Sequence, residues 1–160
     1  MNFHFTTTKA HIVRNGGTVV ELLIDEGLKT TSGFPFKGNL DPNKLRQVID
    51  ERGADNIPFV RLEAGTNLIG GQPFSLGNAL EVAAACRAHG ILTVLDASLL
   101  QDNLYFIRQR DAACRGMSIR EITRALADEM DIIYFSARKL GFAKGGGICM
   151  RDHTLFAKMR

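Results

Sequence analysis

Two stretches of this chain, Ile91-Leu92-Thr93-Val94-Leu95-Asp96 and Asp131-Ile132-Ile133-Tyr134-Phe135-Ser136, are apolar almost without interruption. Strands that are apolar at consecutive positions are covered on both faces, which is the condition of a parallel sheet wrapped by helices. A third run, Ile57-Pro58-Phe59-Val60-Arg61-Leu62, and a fourth, Thr18-Val19-Val20-Glu21-Leu22-Leu23-Ile24 after an Asn15-Gly16-Gly17 turn, have a similar β-branched and aliphatic make-up. Both are expected to be strands.

Helical patterns lie between these runs. Asp41 followed by Pro42 has the form of an N-cap and first helical position; Leu45, Val48 and Ile49 share a face, and Gly53 ends the pattern. A second helix starts near Ser75, carries Leu76, Ala79, Leu80 and Ala83 in one stripe, and stops at His89-Gly90. A third opens on the capping box Ser118-Ile119-Arg120-Glu121 and buries Ile119, Ile122 and Leu126. Gly145-Gly146-Gly147 then reads as a tight turn into a short strand, and residues 153–160 as a helical tail. Strand and helix alternate, so the fold class is α/β, with a mostly parallel sheet and flanking helices. With 160 residues, 45% of them hydrophobic, the chain suffices for one domain or part of one.

Charge and cysteine content narrow the function classes. The 20 basic and 17 acidic residues are dispersed, without the basic block of a nucleic-acid arm. Three well-separated cysteines make neither a disulfide framework nor a zinc pair, and suit a reducing cytoplasm. The first residues lack the pattern of a signal peptide and no apolar run is long enough to span a membrane, so a soluble protein is expected. The four histidines have no metal-ligand spacing, and no serine-hydrolase signature occurs.

In open α/β sheets, ligands bind beyond the carboxyl ends of the strands. Two polar strand ends therefore stand out: Asp96, and the segment Ser136-Ala137-Arg138-Lys139. A carboxylate placed like Asp96 can hold a protonated ring nitrogen or a metal, or simply cap the next helix. Lys139 follows a buried strand, where partial desolvation would free its amine for Schiff-base chemistry, although most lysines are merely solvated. Gly70-Gly71-Gln72-Pro73 makes a glycine-rich turn that a ligand could approach closely, but it is no Walker or dinucleotide fingerprint.

Taken in order, Thr66-Asn67-Leu68-Ile69-Gly70-Gly71-Gln72-Pro73-Phe74-Ser75, Asp96-Ala97-Ser98, Asn103-Leu104-Tyr105-Phe106-Ile107-Arg108 and Phe135-Ser136-Ala137-Arg138-Lys139 with Gly146-Gly147 resemble the tryptophanase and tyrosine phenol-lyase family over almost the whole chain. The resemblance implies a fold-type I, aspartate aminotransferase-like large domain that binds pyridoxal 5′-phosphate. It makes Lys139 the Schiff-base lysine and Asp96 the partner of the pyridinium nitrogen. Phe5 would stack on the ring, Asn67 contact its phenolic oxygen, Ser136 bond the phosphate, and Arg138 serve the phosphate or cation neighbourhood. The reaction implied is β-elimination from an aromatic amino acid, giving pyruvate, ammonia and phenol or indole. Thr6, after the stacking Phe5, resembles the tyrosine phenol-lyase form, in which a hydroxyl faces the phenol.

The resemblance further implies a homotetramer of cofactor-sharing dimers and a monovalent cation, K+. Residues 1–160 would be the central part of the cofactor domain, without the upstream phosphate loop and the C-terminal small domain. It departs at Leu99, where the family has an arginine, at Arg138, where it usually has a lysine, and over residues 140–145, which are one residue shorter beside the cation site. There Lys144 could stand in for the ion. Two rivals stay open: another fold-type I enzyme, such as an aminotransferase or aldolase, and a remnant that has lost its chemistry.

Overall fold

Residues 1–139, 141 and 143–159 are described in the computed structural model of the chain. Their elements are helices α1 (Thr6–Arg14) and α2 (Pro42–Arg52), strand β1 (Phe59–Glu63), helix α3 (Leu76–Ala88), strand β2 (Leu92–Asp96), helices α4 (Leu100–Arg110) and α5 (Ile119–Ala127), strands β3 (Ile132–Ser136) and β4 (Gly146–Met150), and helix α6 (His153–Lys158). The strands form one sheet in the order β1-β2-β3-β4. The first three are parallel and β4 runs antiparallel to β3. The connection from β3 to β4 is too short for the crossover that a parallel neighbour needs.

The expected caps hold the helices. Asp41 Oδ1 accepts the Asn43 and Lys44 amides at 2.8 and 3.3 Å, and Gly53 closes α2 at φ +76°. Ser75 Oγ accepts the Asn78 amide at 3.1 Å, and Ser118 and Glu121 form the reciprocal capping box. On one face of the sheet, Val60, Leu62 and Leu95 join Leu45 and Ile49 of α2, Val82 and Cys86 of α3, Ile107 of α4 and Ile122 and Leu126 of α5 in a single core. Each fully buried aliphatic side chain there contributes about 1.5–3 kcal/mol. Alternation along the strands leaves Arg61, Glu63, Asp96 and Tyr134 to the opposite face.

Several expectations are corrected. Residues 18–24 are not a strand of the sheet: only Leu23 pairs, in an isolated antiparallel bridge with Leu40. The segment instead lies between two short stretches, with the Leu22 amide donating to the Met1 carbonyl at 2.8 Å and the Asp41 amide to the Leu22 carbonyl at 2.7 Å. Its aliphatic residues serve burial, as Leu22 and Leu23 show, without a neighbour long enough for a ladder. β1 begins only at Phe59, because Ile57 still closes the preceding 3-10 turn and Pro58 has no amide hydrogen. Leu80 and Ile119 are 37% and 38% exposed. α3 is apolar nearly all round, so its sequence does not single out the stripe that is buried, Ala79, Val82, Ala83 and Cys86. Ile119 occupies the first turn of α5, away from the Ile122–Leu126 contact.

Helices α1 and α4 lack a side-chain N-cap bond, and the sequence carries no start signal for either. Leu140 and Phe142, in the segment with the missing residue, lie outside the described residues, as does Arg160 at the end of the tail. Among the described residues no helix is long and apolar enough to cross a membrane, and Cys86, Cys114 and Cys149 are free thiols.

One buried amide ties the layers together. Asn103 of α4 is 0% exposed; its Oδ1 accepts the Gly65 and Phe74 amides at 3.1 and 3.0 Å, and its Nδ2 donates to the Phe74 carbonyl at 3.1 Å. Asn103→Ala strands three buried backbone groups and should cost about 3 kcal/mol or more. The check is a lowered urea midpoint at unchanged m-value; an unmoved midpoint would show that these groups find other partners.

Candidate active site

Parallel register sets Glu63, the last residue of β1, beside Asp96, the last of β2, and Asp96 beside Tyr134 in the middle of β3. Arg61, two residues before Glu63, projects from the same face and is 1% exposed. Its Nη2 donates to Glu63 Oε2 at 2.8 Å and to Asp96 Oδ2 at 2.5 Å, and its Nε donates to the Tyr134 hydroxyl at 2.7 Å. That hydroxyl donates in turn to Asp96 Oδ2 at 2.9 Å. The Ser98 amide donates to Asp96 Oδ1 at 3.0 Å, and the Asn67 amide to Glu63 Oε1 at 3.0 Å. In formal charges the cluster is one guanidinium against two carboxylates.

These contacts decide the protonation states. Burial opposes the charge on Arg61, but the Tyr134, Glu63 and Asp96 oxygens outweigh it and hold the guanidinium above its ordinary value. Burial also opposes the charge on Asp96, yet the Ser98 hydrogen bond and the Arg61 guanidinium prevail and hold the carboxyl below its ordinary range. Burial pushes the Tyr134 phenol up to about 12, against the pull of Arg61 and with the help of Asp96. Tyr134 is therefore a neutral donor and Asp96 an anion.

The anion forms part of the wall of a cavity of about 420 Å³, which is also lined by Phe5, Thr7, Thr8, Ser98, Leu99, Ser136, Arg138 and Lys139. Phe5 is delivered there by a clamp on Asn2, which is 0% exposed. Asn2 Nδ2 donates to the Gly38 and Glu63 carbonyls at 2.9 and 3.2 Å, and its Oδ1 accepts the Glu63 amide at 3.0 Å. The turn after β3 is fixed by the Ser136 amide, which donates to Ser98 Oγ at 3.1 Å, and by the Ala137 amide, which donates to the Gly145 carbonyl at 3.0 Å. From it Lys139 reaches over the Phe5 ring, with Nζ 4.7 Å from the centroid.

Of the residues singled out in the sequence, Phe5, Asp96, Ser136, Arg138 and Lys139 come together in this cavity. Thr6, at the first position of α1, and Asn67, on the 3-10 turn Asn67–Ile69, are exposed and outside its lining, where Thr7 and Thr8 stand instead. The glycine-rich turn lies outside the lining as well: Gly70 and Gly71 take φ of +82° and +73°, and the Thr66 amide donates to the Gln72 carbonyl at 2.9 Å. Sequence reading overlooked Arg61, Glu63 and Tyr134. The available signal was two charges at alternate positions inside the otherwise apolar run 59–64, which a buried strand admits only when the charges are partnered.

A flat aromatic ring, a carboxylate held as an anion, a primary amine, a hydroxyl and a guanidinium are groups suited to a planar ring that bears a cationic nitrogen, a carbonyl and an anionic tail. The family model described as "Beta-eliminating lyase" matches residues 1–160. Tyrosine phenol-lyase of Pasteurella multocida is 42% identical over 156 residues, covering 97% of this chain and 34% of that protein. Those of Clostridium tetani and Fusobacterium nucleatum are 38% and 39% identical, over 99% and 97% of this chain. The chain spans about a third of the length of these curated relatives.

Because the Asp96 carboxyl is held below its ordinary 3.8, its contribution to stability is complete above that value and is lost as the pH falls through the lower value of the folded state. Unfolding in urea should therefore show stability falling below about pH 4, and Asp96→Asn should flatten that acid limb. An acid limb of equal steepness in the variant would assign the loss to other carboxyls.

Proposed function

The chain belongs to the beta-eliminating lyase family, and from that premise we propose that it is the cofactor-holding part of a pyridoxal 5′-phosphate-dependent tyrosine phenol-lyase. The observation that carries the reading is the cavity in which Asp96, held anionic by its neighbours, meets Lys139 and Phe5. The residues present fit the cofactor: Asp96 can hold a protonated ring nitrogen, Phe5 can cover a ring face, and Ser136 with Arg138 can take a phosphate. Asn67 is assigned to the phenolic oxygen on family resemblance alone. Lys139 supplies the amine that carries the cofactor and, once displaced by substrate, a base for its Cα proton.

When bound, pyridoxal phosphate supplies an electron sink that stabilises negative charge at the substrate Cα and so permits loss of a β-substituent. Asp96 serves that role by keeping its charge at neutral pH, which makes protonation of the ring nitrogen favourable. We assign tyrosine as substrate, with phenol, pyruvate and ammonia as products, because the relatives compared above carry that name. Thr6, next to Phe5, is the residue proposed to face the phenol oxygen. The same reading brings a homo-oligomer and a monovalent cation near the turn that contains Lys144.

The test has two parts. Titration of the chain with pyridoxal phosphate, borohydride reduction and peptide mapping should place one covalent label on Lys139 and none in Lys139→Ala. In the full-length protein L-tyrosine should give phenol and pyruvate in equal amounts, and Lys139→Ala should lower the rate roughly a thousandfold or more. Scattered labelling of surface lysines would overturn the site; transamination products, or indole from tryptophan in place of phenol, would overturn the substrate and reaction assigned.

A further inference from the structure

Arg61 and Glu63 make none of the cofactor contacts proposed above, although both are charged and buried. Burying an ion costs several kcal/mol even when it is paired, and here three are buried: Arg61 at 1%, Glu63 at 4% and Asp96 at 6% exposure. Arg61 divides a single Nη2 between the two carboxylates. Glu63, which also lines the cavity, accepts the Asn67 amide with its other oxygen.

We propose that the Arg61–Glu63 pair is a positioning device that sets the charge Asp96 presents to the cavity. Without Glu63, Arg61 would neutralise Asp96 alone and the site would offer a ring nitrogen no net charge. With Glu63 taking its share of the guanidinium, the cluster carries one negative charge in excess, which matches the single positive charge of a protonated ring nitrogen. Tyr134 adds to the arrangement: Arg61 and Tyr134 both use Asp96 Oδ2, so Oδ1, whose protein donor is the Ser98 amide, is the oxygen with capacity for a further donor. Neither Arg61 nor Glu63 need touch the cofactor for this to hold.

The inference rests on the cofactor reading above, and the experiment separates the two. Dissociation constants are measured for pyridoxal phosphate and for its 1-deaza analogue, in which carbon replaces the ring nitrogen. The analogue keeps the phosphate, so the contributions of Ser136 and Arg138 cancel in the ratio of the two constants, and comparing that ratio between variants removes the difference in aldehyde reactivity towards Lys139. The unsubstituted chain should prefer the nitrogen-bearing ring. Glu63→Gln, nearly isosteric, should weaken pyridoxal phosphate by about tenfold, the scale of one charge acting over several ångströms in a partly shielded site, and leave the analogue within about twofold.

The double substitution Arg61→Leu with Glu63→Leu removes one charge of each sign, and should restore the preference that Glu63→Gln loses. A merely structural role for the pair predicts the opposite, with both ligands weakened together and the double variant the worse of the two. Should Glu63→Gln fail to fold, Glu63→Ala takes its place: a lost preference for the nitrogen-bearing ring supports the charge argument, and an unchanged ratio, with both ligands weakened alike, overturns it. Equal binding of both ligands by the unsubstituted chain would overturn this inference and leave the cofactor site intact; binding of neither would overturn both.

Discussion

The structure is organised about one buried guanidinium. Arg61 stands on the middle of β1, yet its donors reach Glu63 on its own strand, Asp96 on β2 and Tyr134 on β3. Any slip in the pairing of these strands would leave at least one of these buried groups without its partner, at a cost of several kcal/mol. The register that the buried apolar face already specifies is thus reinforced by charge. Well-packed hydrophobic residues of similar volume would often be at least as stable, so the cluster is better explained by what it presents at the strand ends than by the stability it adds.

That constraint also explains how far the sequence could be read. Asp41, Ser75 and Ser118 announce three helices, because capping chemistry is local and needs no knowledge of the rest of the fold. The uninterrupted apolar runs announce β2 and β3 for the same reason. Residues 18–24 have the composition of a strand but no adjacent ladder, and composition cannot report a missing neighbour. Arg61 and Glu63 went unread because a charged residue within a strand ordinarily signals a solvated face. Only the register, which brings Asp96 and Tyr134 alongside, turns them into a buried network.

The candidate site shows the same division. Asp96 and the segment from Ser136 to Lys139 stand out from strand-end position alone, and family resemblance adds Phe5; Phe5, Asp96, Ser136, Arg138 and Lys139 meet in one cavity. Thr6 and Asn67 belong to the same motifs but are exposed, one at the start of α1 and the other on the rim after β1. Sequence motifs specify which residues accompany one another along a chain. Where each side chain is directed depends on the turn that bears it, and in both cases that turn is built from backbone hydrogen bonds in which the side chain takes no part.

Phe5 links the two halves of the cavity. Its ring lies under the Lys139 amine, and the proposed stacking of a cofactor ring draws on the same aromatic surface. A half-buried cation over a phenyl ring is worth on the order of 1 kcal/mol, little enough for a bound ring to displace. A planar ring carrying its own positive nitrogen would replace that contact with a broader one and bring its charge towards Asp96. The amine released from Phe5 would then be free for the carbonyl of the same ligand. The lysine's resting contact and its proposed covalent role are in this way coupled through one side chain, whose position is set by the Asn2 clamp on β1 and therefore by the strand that also carries Arg61.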